Sequence, residues 1–240
     1  MLRRNMNSGI IVLLVIFLSA INCIGAEQKD TEYSTETNIP VFKEGYYIVG
    51  DEIPAGTYDV HIINGLGSLR TYESNEARAA DEWNYIDDLA LADADTMELF
   101  AVNEDPVSSG TSMTAHNILL KDGMCIAIGT MEVQFEKADD GRDAYPEGTV
   151  LETGYHIVGI DIDPGTYTFR CVGGMGTVRT FESNEERLAD QWGYKEDFAL
   201  EINEGSDGGY SYPDEMHHVI LSDGECVFIG TMRVVLERES

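Results

Sequence analysis

Residues 57–62 alternate strictly between apolar and polar: Tyr58, Val60 and Ile62 fall on one side, Thr57, Asp59 and His61 on the other. A period of two marks a strand with one buried face. The pattern returns at Tyr167, Phe169 and Cys171, and it closes each half of the chain, at Met131, Val133 and Phe135 and at Met232, Val234 and Leu236. Turn residues between these strands are placed alike in both halves. Gly65-Leu66-Gly67 and Gly174-Met175-Gly176 read as reversals into further strands over residues 68–73 and 177–182. Asp122-Gly123 and Asp223-Gly224 separate apolar runs and predict hairpins, because such turns need a positive φ that glycine supplies. Gly129-Thr130 and Gly230-Thr231 interrupt the next strand, as a bulge or a bend does.

One stretch in each half breaks this rhythm. Over residues 74–88 and 183–197, charged residues and alanines surround Trp83 and Trp192. Ser74 and Ser183 are suited to cap a helix N-terminus, and Glu186 stands where a capping box needs it. Ala80 and Trp83, like Ala189 and Trp192, are three apart and share a helical face. The spacing predicts a short helix that sets its indole against the core.

The correspondence between halves extends to residue identity. Gly45-Tyr46-Tyr47-Ile48-Val49-Gly50 returns as Gly154-Tyr155-His156-Ile157-Val158-Gly159. Arg70-Thr71-Tyr72-Glu73-Ser74-Asn75-Glu76 returns as Arg179-Thr180-Phe181-Glu182-Ser183-Asn184-Glu185. A self-match of this length is a duplicated domain, since a solenoid repeats in shorter units. The expected organisation is a signal peptide over 1–26, a polar tether over 27–43, repeat one over 44–137, a linker over 138–149 and repeat two over 150–240. The expected fold class is all-β: tandem β-sandwich or jelly-roll-like domains, each with a short helix inserted mid-domain. Each repeat is long enough to bury a core of its own.

The segment Tyr47-Ile48-Val49-Gly50-Asp51-Glu52-Ile53-Pro54-Ala55-Gly56-Thr57-Tyr58 resembles the "Val-Gly-x-Asp-Ile-Pro-Ala-Gly-x-Tyr" signature of a small all-β repeat. That repeat occurs in exported proteins and lipoproteins of Gram-positive bacteria. The second copy keeps Val158-Gly159-Ile160-Asp161-Ile162 and Pro164-Gly165-Thr166-Tyr167, with Asp163 in the usual proline position. The likeness covers the starts and ends of both repeats, and the Trp-bearing middle lies outside it. The resemblance implies location and architecture; the family has no established activity.

Location is also legible at the N-terminus. Arg3 and Arg4 precede an apolar run over residues 10–21, too short to span a bilayer comfortably, and small residues follow at Gly25 and Ala26. The expectation is export with cleavage after Ala26, giving a secreted or envelope-associated chain. A lipid anchor at Cys23 is disfavoured, because Asn22 precedes it where a lipoprotein site wants a small residue. The full chain carries 15 basic and 44 acidic residues, a net charge of −29. Loss of residues 1–26 removes Arg3 and Arg4 and no acid, leaving 13 against 44, or −31. Such a charge repels phosphates and argues against nucleic acid as a partner.

Cys125, Cys171 and Cys226 would remain, an odd number without a Cys-x-x-Cys. Any bridge is expected to join Cys171 to Cys226 within repeat two. His217 and His218 are adjacent on a strand and point to opposite faces, which does not make a metal site. The run Asn203-Glu204-Gly205-Ser206-Asp207-Gly208-Gly209 is oxygen-rich, but Gly205 falls where a calcium loop needs a ligand. No cofactor and no metal is expected, and no motif names a catalytic residue.

The strongest candidates for function are the polar and aromatic residues kept in both middles. Arg70, Arg78, Trp83 and Tyr85 match Arg179, Arg187, Trp192 and Tyr194. Two readings stand side by side: each Arg pairs with a carboxylate and fixes the helix on the sheet, or the set lines a patch for a glycan or peptide. For Arg70 and Arg179 the expected partner is an acid of the same repeat, within residues 73–81 or their counterpart. The leading functional expectation is a non-catalytic binding or adhesion module at the envelope, with cell-wall glycan or protein as partner. An extracellular hydrolase whose site only folding assembles and a structural spacer are the alternatives.

Overall fold

The computed structural model describes residues 32–33, 39–102, 111–139, 141, 143–190, 192–202 and 212–240, with side chains described from residue 39 onward and not for 100–102. The expected signal peptide, most of the expected tether and the oxygen-rich run over 203–209 lie outside the described residues. Residues 31–240 form one compact unit.

The chain is all-β with a few short helices. β1 (Glu32–Tyr33) and β2 (Pro40–Phe42) fall within residues 27–43, expected as a polar tether, yet β2 pairs with β8 of repeat one. Repeat one contains β3 (Gly45–Ile48), β4 (Gly56–Tyr72), α1 (Asn75–Ala80), β5 (Asp87–Ala92), α2 (Ala94–Val102), β6 (Thr114–Leu120), β7 (Cys125–Ile128) and β8 (Met131–Lys137). Repeat two follows with β9 (Val150–Leu151), β10 (Gly154–Ile157), β11 (Gly165–Phe181), α3 (Asn184–Ala189), β12 (Glu196–Glu201), β13 (Glu215–Leu221), β14 (Cys226–Ile229) and β15 (Met232–Arg238).

Each repeat is organised by one 17-residue strand, β4 or β11, that belongs to two sheets. The first half of β4 lies between β8 and β6, and its second half between β7 and β5. β2 completes the first sheet beside β8, and β3 completes the second beside β7. β11 repeats the plan with β15 and β13, then β14 and β12. The alternating residues fill the core as expected: Tyr58, Val60 and Ile62 meet Met131, Val133 and Phe135 in one cluster, and Tyr167, Phe169 and Cys171 meet Met232, Val234 and Leu236 in another.

The glycines do not act as the local pattern suggests. The chain runs straight through Gly65-Leu66-Gly67 instead of reversing there, because this is where β4 passes from one sheet to the other. At Gly65, which has φ +95°, an added Cβ would lie 2.8 Å from the Thr130 carbonyl oxygen. The glycines therefore let β4 cross the chain at Gly129-Thr130, which bends at the same point between β7 and β8. The Asp122-Gly123 turn is likewise not a hairpin. It closes with Met124 N–H donating to the Lys121 carbonyl at 3.1 Å, yet β6 and β7, which it joins, lie in different sheets.

One irregularity recurs in both repeats. Between the pairs Tyr58–Ile118 and Val60–Ala115, His116 and Asn117 together oppose Asp59, and Asn117 has φ +53°. Between Tyr167–Val219 and Phe169–Met216, His217 and His218 oppose Thr168, and His218 has φ +62°. These are β-bulges; Asn117 of the first is buried, while His217 and His218 of the second are exposed.

Candidate functional site

The bulge of repeat one is where repeat two docks. β10 approaches β6 in parallel, with Gly154 opposite His116. His116 N–H donates to the Thr153 carbonyl at 3.3 Å. Gly154 has φ +126°, and a Cβ there would run into the His116 backbone. Asn117 donates its side-chain N–H groups to the Tyr155 carbonyl at 2.6 Å and to Asp161 at 2.8 Å. The Asn184 side chain returns a bond to the Asn117 carbonyl at 3.2 Å. Tyr155, Phe181 and Cys226 of repeat two join the hydrophobic cluster of repeat one.

At the centre of this contact lies Asp87, fully buried. It accepts from Arg187 at 2.7 Å and from the Tyr155 hydroxyl on Oδ1, and from Thr71 on Oδ2. The Arg187 guanidinium stacks 3.7 Å above the Tyr155 ring, with Nε donating to Asn184 at 3.0 Å. Side-chain exposures of 2% for Arg187 and 0% for Asp87 make this a desolvated pair. Burial alone would lower the Arg187 pKa, but Asp87 and Tyr155 outweigh it and leave the pKa above its ordinary value. Burial, seconded by Asp87 against the opposing pull of Arg187, raises the Tyr155 phenol well above its usual range. Arg187 therefore holds the two repeats together, which is the carboxylate-pairing reading of the shared motif carried across the repeat boundary.

A groove of about 600 Å³ opens beside this pair, between the repeats. Five of the sequence-predicted residues line it: Trp83 and Tyr85 from repeat one, and Arg179, Arg187 and Trp192 from repeat two. The indoles do not enter the core as the helical spacing suggests; Trp83 is 69% exposed and Trp192 68%. The helical faces that carry Ala80 and Ala189 are turned to solvent, and the helices end there. α1 stops at Ala80, and Asp81 accepts the Trp83 N–H at 3.0 Å in a turn that carries the ring outward. Asp190 does the same for Trp192 at 3.0 Å. Both N-caps hold as expected: Ser74 and Ser183 accept from Ala77 and Glu186 at 3.1 Å.

Arg70, Arg78 and Tyr194 stand outside the groove lining. Arg70 sits 5.7 Å from the Trp83 ring and 5.3 Å from that of Tyr85. It pairs with Asp88 at 3.1 Å, as Arg179 pairs with Asp197 at 3.2 Å. The partners belong to the same repeat, but they lie beyond residues 73–81. Asp88 and Asp197 are the residues directly across the ladder, and cross-strand register brings them closer than the helix does. Tyr194 receives Arg179 at 5.5 Å and packs against the first core. Arg78 stacks on Tyr46, remote from repeat two's docked face.

The cysteines and histidines also depart from expectation. Cys125, Cys171 and Cys226 are buried and form no disulfide, and Cys171 and Cys226 belong to different clusters, so no bridge joins them. Burial pushes the Cys226 thiol up to about 12. The bulge leaves His217 and His218 both exposed instead of on opposite faces. Among the described residues no group of three or more His, Cys, Asp or Glu is placed to hold a metal ion, and no helix is long and apolar enough to cross a membrane.

Sequence reading missed Asp87, Asp88 and Tyr155 as neighbours of the groove. A signal for Asp87 existed in the self-match, where it aligns with an acid, Glu196, but nothing local distinguishes it from the many other carboxylates. Comparison of the chain with protein-family models, curated proteins and solved structures finds no match.

Proposed function

We propose that the protein is an exported, non-catalytic binding module of the cell envelope, and that the groove between its repeats takes an uncharged glycan chain. The carrying observation is the pair of exposed indoles, Trp83 and Trp192, on one groove of about 600 Å³. That volume falls within the usual range for ligand sites, and large aromatic rings kept in water mark recognition surfaces. Flat rings stack on sugar faces, while Arg179 and Asp88 offer a donor and an acceptor to hydroxyls. A net charge of −29 disfavours anionic chains, which supports a neutral ligand. The resemblance to repeats of exported Gram-positive proteins supports the location.

The test is a glycan array and a cell-wall pull-down with the exported chain and its Trp83→Ala/Trp192→Ala variant. Wild type should be retained, and the double variant should lose about tenfold or more in affinity at unchanged thermal stability. Equal retention of both, or of neither, defeats the proposal. Release of new reducing ends from a retained glycan would move the protein to the hydrolase reading.

A further inference from the structure

We infer that the free faces of the two repeats bind each other between copies of this chain, joining molecules head to tail in the way the repeats are already joined within one molecule.

The contact inside the chain is heterologous, because the two repeats contribute different surfaces. Repeat two supplies the edge β10 with Tyr155, Asn184 and Arg187; repeat one supplies the bulged edge β6 with Asp87, His116 and Asn117. A heterologous contact between two copies of one fold uses half of each copy and leaves the other half open. The open halves here are β3 on repeat one and β13 on repeat two. Among the described residues β3 pairs only with β7, and β13 only with β11.

Both open halves keep the chemistry of the closed one. On repeat one, Gly45, Tyr46, Asn75 and Arg78 are identical to Gly154, Tyr155, Asn184 and Arg187. They are also held alike. Arg78 stacks 3.8 Å above the Tyr46 ring with Nε donating to Asn75 at 3.0 Å, as Arg187 does on Tyr155 at 3.7 Å and 3.0 Å. The docked version meets Asp87; the free version has Tyr46 48% exposed where Tyr155 is 4%. On repeat two, the bulge presents His217 and His218 where repeat one has His116 and Asn117, and both bulges share the positive φ. Glu196 stands exposed in the place of Asp87, and the neighbouring Ile220 is 70% exposed.

By the correspondence of positions, the internal contact repeated on the free faces would set Arg78 of one copy against Glu196 of the next. Tyr46 reaches the same carboxylate, and β3 runs beside the β13 bulge at His217. An arginine preorganised on an aromatic ring lacks only its acid, and the acid is exposed at the matching position of the other repeat. An exposed edge strand supplies the backbone groups for such an addition. Because the contact uses different faces on its two sides, each added copy presents a new free face, so the assembly grows as an open chain or closes as a ring.

Sedimentation velocity on the exported chain across a concentration series tests this, at a salt concentration that screens the acidic monopole. Wild type should form species larger than a monomer as concentration rises. Arg78→Glu should weaken that association about tenfold or more, as a like-charge contact does, and so should Glu196→Arg. The double variant Arg78→Glu/Glu196→Arg should restore it, since the pair is reversed but complementary. Tyr46→Glu serves as a second disruption, removing the ring on which Arg78 stacks, and unfolding curves confirm that each variant is folded. A wild-type chain that stays monomeric into the millimolar range overturns the inference. So does association that Arg78→Glu and Tyr46→Glu leave unchanged, or that the double variant fails to restore.

Discussion

Replacing Arg187 with alanine strips a fully buried carboxylate of the one cation that pairs with it among the described residues. The side-chain exposures of Arg187 and Asp87, 2% and 0%, leave the guanidinium as the charge that offsets this carboxylate. Removing one partner of such a pair costs about 3–5 kcal/mol, because an uncompensated charge stays behind. The aligned residue Arg78 provides the control, since it makes the same stack on tyrosine and the same bond to asparagine in a more open setting. Losing that stack should cost about 0.5–1 kcal/mol. For a folded unit of this size each kcal/mol moves the melting temperature by about 2–4 °C, so Arg187→Ala should lower it by about 6–20 °C and Arg78→Ala by only a few degrees. Differential scanning calorimetry reads both. The combined variant Arg187→Met/Asp87→Leu should recover most of the loss, as replacing a buried pair by apolar groups of similar size is near neutral. Equal shifts for Arg187→Ala and Arg78→Ala would refute the account of the interface, and so would a double variant no more stable than Arg187→Ala.

Three further outcomes are expected. Gly154→Ala should destabilise the docked repeats by about 2–4 kcal/mol in chemical denaturation, since it adds a Cβ against the His116 backbone at a positive φ. Asp93 caps α2 by accepting from Thr96 N–H at 2.8 Å and also accepts from Gly65 N–H at 2.6 Å, and the Thr96 hydroxyl first, with these two N–H groups after it, holds its carboxyl below the ordinary range. A depressed folded-state pKa stabilises above the unfolded value and ceases to as the pH falls through the folded one, so Asp93→Ala should lower the melting temperature at neutral pH and lose that effect well below about pH 4. Cys226, raised to about 12, is ionised to only about one part in ten thousand at pH 8, and maleimide should label Cys125, Cys171 and Cys226 only after denaturant is added.

What could be read from the sequence was whatever short-range periodicity controls. The buried alternation at Tyr58, Val60 and Ile62 and the caps at Ser74 and Ser183 depend on neighbours within a few residues. Gly65 shows where that reach ends. A Gly-x-Gly run permits both a reversal and a close crossing, and the decision rests on Thr130, far along the chain. The indoles went astray for a related reason: the spacing puts Trp83 on the face of Ala80 without saying which face meets the core, and Ala80 is exposed, with Asp81 ending the helix there. Asp87 and Glu196 are equivalent in the duplication and opposite in fate. Which of them is buried depends on which edge meets which, and only the assembled fold carries that information.

The Asp87–Arg187 contact also sets a timetable. The two residues are separated by 100 positions, and the acid comes first. At the usual pace of synthesis Arg187 follows Asp87 by about 5–20 s. Throughout that interval repeat one has its carboxylate in water, where an isolated charge is stable, and its β6 edge uncovered. Had the arginine been first, the waiting half would have been the one that stacks on its own tyrosine. As it stands, the earlier half bears the unfinished edge.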